Sequence, residues 1–227
     1  MLRAELNAPV LDAPGHMALD EAVLLAPPAH PFLRVYRWSG LGCTFGYSQP
    51  YRTVRQACDA RGWKDVHPVR RATGGGIVFH DGDVTFSLVF PWDRTLAPDA
   101  IYKNIHRGVH LALKAAGAAT SLWSPPRRPL GAAGACFTRA EPMDLVVEDG
   151  TKVLGGALRK RGGKGLYQGS LRPETLGLSR EAVEAAVADG VAREFGGAPS
   201  TEIPDSWLAA GRALEERYRS SEWNERR

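Results

Sequence analysis

The chain has 227 residues, of which 44% are hydrophobic and 24% are charged, with a formal net charge of +4 at pH 7. This globular composition and length suit one α/β domain, so we expect a single domain over residues 1–227. No apolar run approaches the roughly 20 residues of a membrane span, no secretory signal begins the chain, and the mild positive charge does not demand nucleic acid, so we expect a cytoplasmic protein that binds neither membrane nor nucleic acid.

Hydrophobic periodicity predicts helices and strands along the whole chain. Five helices are predicted, at 15–25, 52–61, 98–116, from the capping Ser179 to 195, and from Pro204 to about Tyr218. Six strands are predicted, at 32–38, 43–47, 77–89, 143–148, 152–158 and 165–171. The order of these elements favours an α/β (α+β) fold with a largely antiparallel sheet.

The run from Arg70 to Ser87 is the part of the sequence most informative about function. Arg70 and Arg71 are followed by Gly74, Gly75 and Gly76, and then by a strand pattern. A glycine triplet packs poorly inside a strand, so its use is the close approach of backbone to another group. The paired arginines supply fixed charge and forked donors suited to a phosphate or carboxylate. The run therefore predicts an anionic or nucleotide-like ligand against exposed backbone amides.

Further motifs accompany this run in a fixed order along the chain. They are Met17-Ala-Leu-Asp-Glu21, Gly46-Tyr-Ser-Gln49, Asp144-Leu-Val-Val-Glu148, Lys152-Val-Leu-Gly-Gly-Ala-Leu-Arg159, Gln168-Gly-Ser-Leu171 and Tyr218-Arg-Ser-Ser-Glu-Trp-Asn224. Together they resemble the lipoate-protein ligase and octanoyltransferase family, which is related in fold to biotin-protein ligases. A single motif would be weak support, whereas several in this order are specific. The resemblance implies the catalytic-domain fold of that family, with mostly antiparallel mixed sheets flanked by helices.

The resemblance also implies an enzyme that attaches a lipoyl or octanoyl group to a specific lysine of a lipoyl carrier domain. In the family, the glycine loop and the lysine of the Lys-Val-x-Gly segment surround the acyl group and its activated carboxyl. Lys152 is therefore the implied catalytic cation, which stabilises oxyanion charge on the acyl carbonyl. The residues implied in acyl or nucleotide binding are Arg71, Thr73, Gly74, Gly75, Gly76, His80, Gly155 and Ala157. No metal ligands are assigned.

Cys136 bears on which of two chemistries the chain performs. A ligase activates lipoate with ATP, whereas an octanoyltransferase takes octanoyl from acyl carrier protein through a cysteine thioester, which needs an accessible thiol with a lowered pKa. Cys136 lies in an Ala-Cys-Phe sequence that resembles the cysteine loop of such transferases, and the spacing from His80 to Ser87 is like theirs. We therefore assign Cys136 a catalytic role. Cys43 and Cys58 fall in a predicted strand and helix and are expected in the core.

Gln168 replaces a histidine common in both branches, so it does not distinguish them. The third glycine of Gly74-Gly75-Gly76 is the form typical of ligases, which keeps the ligase open. An ATP-dependent ligase that acts through lipoyl-AMP, alone or with a separate accessory chain, is therefore an alternative, and a non-catalytic acyl-binding protein is another. A biotin-protein ligase is disfavoured, because its Gly-Arg-Gly-Arg-x-Gly segment is missing.

The resemblance implies the transferred group and the partners. The transferred group is lipoate or octanoate, with ATP and Mg²⁺ needed only on the ligase route. The expected acceptors are the lipoyl carrier domains of 2-oxoacid dehydrogenase complexes or the H protein of glycine cleavage. Acyl carrier protein is the expected donor on the transferase route.

Overall fold

The computed structural model of the protein describes residues 9–26, 30–93, 95–124, 140–196 and 202–226. The helices in these ranges are α1 (Ala13–Leu25), α2 (Tyr51–Ala60), α3 (Pro98–Ala115), α4 (Pro173–Leu176), α5 (Arg180–Phe195), α6 (Asp205–Arg219) and α7 (Ser221–Asn224). The strands are β1 (Phe32–Tyr36), β2 (Gly42–Phe45), β3 (Pro68–Arg70), β4 (Ile77–His80), β5 (Val84–Pro91), β6 (Ser121–Leu122), β7 (Leu145–Val146), β8 (Lys152–Arg161) and β9 (Lys164–Leu171). None of these helices is long and apolar enough to cross a lipid bilayer.

The strands form two sheets. The large sheet has the order β1-β5-β9-β8-β7-β6, and every neighbouring pair in it is antiparallel. The small sheet has the order β3-β2-β4, in which β2 runs parallel to β3 and antiparallel to β4. The predicted α/β fold with mostly antiparallel sheets and flanking helices is confirmed.

The main core lies between the large sheet and the helices α3 and α5. Alternate residues of β5, Val84, Phe86 and Leu88, point into this core, because side chains alternate between the two faces of a strand. Thr85 and Ser87 point to the opposite face, where α1 packs on the sheet and α6 packs on α1. Helix α1 is therefore covered on more than one side, and its polar residues must be satisfied internally.

The predicted strand over residues 77–89 is wrong as a single element. Strand β4 belongs to the small sheet and β5 to the large sheet, and a turn at Gly82, with φ of 82°, separates them. The polar residues Asp81, Gly82 and Asp83 interrupt the alternation, which is the signal for the break. The turn joins the two sheets directly, so the end of β4 lies at their junction.

Most other predicted elements are present with shifted boundaries. The predicted strand over 143–148 shortens to Leu145–Val146, and β8 extends to Arg161. The short elements β3, β6, α4 and α7 have no counterpart among the predicted ones, because two to four residues do not establish a period.

Helices α3 and α5 cross at Gly108 and Gly190. A Cβ atom added to Gly108 would lie 2.2 Å from the carbonyl oxygen of Gly190, and one added to Gly190 would lie 2.6 Å from the backbone of Gly108. Glycine is therefore required at both positions for this close approach of two helix backbones.

We expect Gly190→Ala to lower the free energy of unfolding. An alanine usually stabilises a helix interior by about 1 kcal/mol relative to glycine, but overpacking here costs about 1–3 kcal/mol and reverses the sign. Urea unfolding measures the change. Gly211→Ala in α6 is the matched control with a milder effect, since its added Cβ would lie 3.3 Å from Leu19. A midpoint for Gly190→Ala at or above that of the wild type would contradict the expectation.

Candidate active site

A cleft opens between the two sheets, beside the junction of β4 and β5. The large sheet contributes Gly155–Ala157 and Gln168–Ser170, and the small sheet and its flanks contribute Thr44, Arg71, Val78 and His80. Met17, Tyr36, Trp38 and Thr85 complete the lining. The cleft holds about 350 Å³ of space, its open mouth included.

The glycine loop, residues 72–76, folds over β8 at one side of this cleft. Gly75 has φ of 89°, and a Cβ on it would lie 3.5 Å from the Cβ of Ala157. A Cβ on Gly46 would lie 2.0 Å from the carbonyl oxygen of Gly75, so the segment after β2 presses on the loop from the outside. Among the described residues, the N–H groups of Gly74, Gly75 and Gly76 donate no hydrogen bond. These amides are thus available to an acceptor.

Arg71 braces the glycine loop from within. Its guanidinium donates to the carbonyl oxygens of Gly74 and Gly76 at 2.9 and 3.1 Å, and to the hydroxyl of Thr44 at 3.0 Å. The side chain is buried at the cleft wall. A planar guanidinium can join several acceptors in fixed directions, which an ammonium does not do. Arg71 therefore sets the shape of the loop as well as its charge.

The interpretation of Arg70 and Arg71 as a pair that binds one ligand is wrong, because the guanidinium of Arg70 is occupied elsewhere. Its guanidinium donates to five backbone carbonyl oxygens, those of Tyr47, Gln49, Trp223, Asn224 and Arg226. Burial, followed by the charge of Arg226, lowers its pKa. Arg70 thus ties α7 to the segment that presses on the glycine loop.

Thr73 is oriented by a chain of buried polar groups. Its hydroxyl donates to Oε1 of Gln168 at 2.6 Å, and Nε2 of Gln168 donates to Asp20 at 2.7 Å. An ionised carboxylate only accepts hydrogen bonds, so Asp20 fixes which way the Gln168 amide faces. Arg34 and Ser87 also donate to Asp20. The glutamine that replaces a family histidine is therefore fully bonded.

His80 has partners that the sequence did not supply. Its Nδ1 lies 2.9 Å from Asp83, its Nε2 lies 2.8 Å from the hydroxyl of Thr44, and its ring stacks on Trp38 with centroids 3.8 Å apart. Burial alone would raise the pKa of Asp83, but the charge of His80 and hydrogen bonds from His80, Ser170 and Thr85 outweigh it and lower that pKa. The turn after β4 brings the imidazole and the carboxylate together.

The end of the Lys152 side chain lies beside Gly155, a residue of the cleft wall, because β8 contains an extra residue. Val146 lies opposite Lys152, whereas Leu145 lies opposite Leu154, so Val153 is unmatched, as in a β-bulge. A bulge re-aims the side chains on one side of it. The end of the Lys152 side chain consequently lies over Gly155, where an added Cβ would be 2.5 Å from Nζ. Gly155 provides the space that the ammonium fills.

Asp144 holds the Lys152 ammonium in this position. Nζ of Lys152 lies 2.8 Å from Oδ2 of Asp144, and both side chains are buried. The other carboxylate oxygen accepts from the hydroxyl of Tyr102 at 2.6 Å, and that hydroxyl accepts from the N–H of Gly156 at 3.0 Å. Asp144, Tyr102, Asp83 and Thr44 were not assigned to the site from sequence. The only signal for Asp144 was its place in the motif before Lys152.

The structure brings the implied binding residues Arg71, Thr73, Gly74, Gly75, Gly76, His80, Gly155 and Ala157 to this cleft or its loop, with Lys152 beside them. Cys136 lies outside the described residues. Cys43 in β2 and Cys58 in α2 are fully buried, which confirms that they are core residues.

The sequence matches the family model described as the lipoyl protein ligase A/B catalytic domain over residues 12–180. The chain belongs to this family. The matched range contains the glycine loop, Lys152 and Gln168. The resemblance drawn from the motifs is therefore confirmed.

Named relatives and a solved structure agree with this assignment. Octanoyltransferase LipM of Symbiobacterium thermophilum is 34% identical over an alignment of 171 residues, which covers 70% of this chain and 60% of that relative's length. Octanoyltransferase LipM of Kyrpidia tusciae is 29% identical over 93% of this chain and 94% of its own. A putative lipoate protein ligase from T. acidophilum with bound lipoic acid has a TM-score of 0.77 at 20% identity, covering 96% of this chain and 95% of that one, and thus shares the fold.

We expect the free energy of unfolding to fall steeply as pH drops below about 6.5. Burial is the main cause that lowers the pKa of His16 to about 2 and that of His106, beneath Tyr167, to about 3. In this pH range both histidines stay neutral in the folded protein and become protonated in the unfolded chain. The free energy of unfolding therefore falls as the pH drops from about 6.5 toward the folded pKa values. Each contributes up to about 1.4 kcal/mol per pH unit.

The pH dependence is checked by urea unfolding of the wild type and of His106→Gln between pH 7 and pH 4. The free energy of unfolding of the variant should depend less steeply on pH, by about 1.4 kcal/mol per pH unit, which is the contribution of one histidine. Equal slopes for the two proteins would show that His106 is not buried in its neutral form.

Proposed function

We propose that this chain transfers an octanoyl or lipoyl group to a lysine of a lipoyl carrier domain. The observation that carries the proposal is the position of the Lys152 ammonium, held by Asp144 over Gly155 on the same face of β8 that the glycine loop covers. An acyl chain in the cleft then presents its carbonyl to a fixed positive charge.

The roles of the residues follow from this placement. Lys152 donates a hydrogen bond to the acyl carbonyl oxygen and stabilises the oxyanion that forms when the acceptor amine attacks. Asp144 keeps the ammonium oriented, and Arg71 fixes the loop that encloses the acyl group. The family's activity and the names of the relatives support these roles.

The donor step that we favour uses Cys136. Its thiolate attacks the thioester carbonyl of octanoyl-acyl carrier protein, the carrier thiol leaves, and a new thioester forms on Cys136. The acceptor lysine amine then attacks that carbonyl, an amide forms, and the thiolate of Cys136 leaves as the amine loses a proton. The Ala-Cys-Phe sequence and the octanoyltransferase names of the relatives support this route.

The ATP-dependent ligase is the second candidate. The three successive glycine amides of the loop next to Ala157 suit the phosphate of an acyl adenylate, since backbone N–H groups bind anions well. On that route the acyl group passes from lipoyl-AMP to the lysine and AMP leaves, with ATP and Mg²⁺ as co-substrates. A non-catalytic acyl-binding protein would form neither product.

The intact mass of a lipoyl domain separates these candidates. The domain is incubated with this protein and either octanoyl-acyl carrier protein or lipoate with Mg-ATP. A gain of one octanoyl group with the first donor and none with the second is expected. A gain only with lipoate and Mg-ATP would overturn the thioester route, and no gain with either donor would overturn the proposed function.

Lys152→Ala should abolish transfer from either donor, because the carbonyl loses its cation. Cys136→Ala should abolish transfer from acyl carrier protein and leave the protein folded. Both variants are compared with the wild type by initial rates, with circular dichroism as the check on folding. Full activity of Lys152→Ala would remove the site from consideration, and normal rates for Cys136→Ala would rule out the thioester.

Gly155→Ala should lower kcat by at least about tenfold while the protein stays folded, because the new methyl group displaces the flexible end of Lys152 rather than backbone. Gly40→Ala is the matched control, since nothing lies within 4 Å of its added Cβ. Initial rates and melting temperatures are measured together. A kcat equal to that of the control would mean that the position of the ammonium does not matter.

A further inference from the structure

A second groove lies across the glycine loop from the cleft. Its lining comes from α1, from the segment after β2, from the far half of β8 and from α6 and α7, and includes Glu21, Tyr47, Arg159, Arg161, Arg217 and Trp223. The groove holds about 730 Å³ of space, its open mouth included. Arg159 donates to the carbonyl oxygen of Ala72 at 3.0 Å, so the groove borders the glycine loop.

The groove and Lys152 are on the same face of β8. Gly155, Arg159 and Arg161 are separated by even numbers of residues along a regular part of the strand, so their side-chain positions point the same way. At about 3.4 Å per residue, Arg159 lies roughly 14 Å and Arg161 roughly 20 Å along the strand from Gly155. An extended peptide covers that distance in about four to six residues.

One wall of the groove is a ladder of alternating guanidinium groups and aromatic rings. The guanidinium of Arg159 lies 4.9 Å from the ring centroid of Tyr47, and that of Arg226 lies 4.1 Å from the same ring and 3.8 Å from the ring of Trp223. Arg217 stacks on Trp223 at 4.2 Å. Stacking of this kind fixes the planes of the guanidinium groups without using their N–H donors.

The charge in the groove is strongly unbalanced. Among the described residues that line the groove, Arg159, Arg161 and Arg217 are cationic and Glu21 is acidic, and Arg226 stacks on the aromatic wall. Glu21 accepts from Arg161, Arg217 and the hydroxyl of Tyr218. Nε of Arg217 and Nη2 of Arg226 are buried, and neither has a hydrogen-bond partner among the described residues. Like charges held together with unused donors indicate a negatively charged partner.

We propose that this groove docks a carboxylate-rich segment of the acceptor carrier protein, which flanks the lysine that receives the acyl group. The guanidinium groups are spread along a wall instead of converging on one point, which suits several carboxylates better than one phosphate. Side chains of Arg161 and Arg217 are 52% and 39% exposed, and so are reachable by a protein surface. The inference rests on the proposed function and adds where the acceptor binds.

Charge reversal tests the docking. Arg161→Glu and Arg226→Glu, singly and together, are compared with Arg107→Glu, an exposed position on α3 that lies on the other side of the large sheet. Arg161→Gln removes the charge without reversing it. Initial rates of transfer are measured against lipoyl-domain concentration at about 0.02 M and about 0.3 M salt, together with octanoyl loading from the donor in the absence of the acceptor.

We expect Arg161→Glu to raise the KM for the lipoyl domain about tenfold with kcat and donor loading unchanged, and Arg161→Gln to give a smaller rise. Salt should raise the KM of the wild type and affect the double variant less. An unchanged KM in the double variant would overturn the proposal. An altered rate of donor loading would overturn it too, because the groove would then bind the donor.

Binding of the unmodified lipoyl domain, measured by calorimetry, tests the docking independently of whether the protein transfers an acyl group. Binding to the wild type that weakens in Arg161→Glu but not in Arg107→Glu supports the docking even where neither donor gives transfer, an outcome that would overturn the proposed function alone. Transfer by the wild type to free lysine amide, without measurable binding of the domain, would overturn the docking alone.

Discussion

The buried ion pair between Lys152 and Asp144 is the interaction on which the cleft depends. A buried ammonium is tolerated only when it is paired and hydrogen-bonded, so the surrounding structure is arranged to satisfy both charges. The bulge at Val153 turns the lysine toward the cleft, the missing side chain of Gly155 leaves room for it, and Tyr102 satisfies the second carboxylate oxygen. The backbone bulge, the space at Gly155 and the paired charges therefore all hold the ammonium in the same place on β8.

The two sheets meet around this point because each contributes one half of the cleft. The small sheet carries Arg71 and His80, and the large sheet carries Gln168 and Ala157. Hydrogen bonds cross from one to the other through Thr73 and Gln168, and the three-residue turn after His80 joins the sheets covalently. A site held from both sides in this way is preorganised, so little ordering is needed when a ligand binds.

The sequence predicted the long elements well and the short or composite ones poorly. Helices α3 and α5 were evident from residues spaced by three or four, and Ser179 does cap α5 by accepting from the N–H of Ala182. The break between β4 and β5 was missed because both halves alternate, although Asp81, Gly82 and Asp83 interrupt the alternation between them. A period-two pattern reports which residues share a face, and not which sheet the strand joins.

The site residues were found by motif, and their partners were not. Thr44 carries no local signal, because a hydrogen bond between distant segments leaves no trace in periodicity. Asp83 lies only three residues after His80, but the strand pattern did not show that a turn brings the two together. Arg70 and Arg71 look equivalent in sequence, yet successive residues at the end of a strand point in opposite directions, which gives one to the loop and the other to α7.

The contact between Lys152 and Gly155 makes the two positions energetically dependent on each other. A larger residue at 155 is harmful only while a long side chain occupies the space above it, so the effects of changing the two positions should not add. In a lineage that exchanged the lysine for a shorter residue, the glycine would be free to vary. The two positions are therefore expected to change together. Residues three apart on a regular strand point to opposite faces, and the bulge at Val153 is what puts these two in contact.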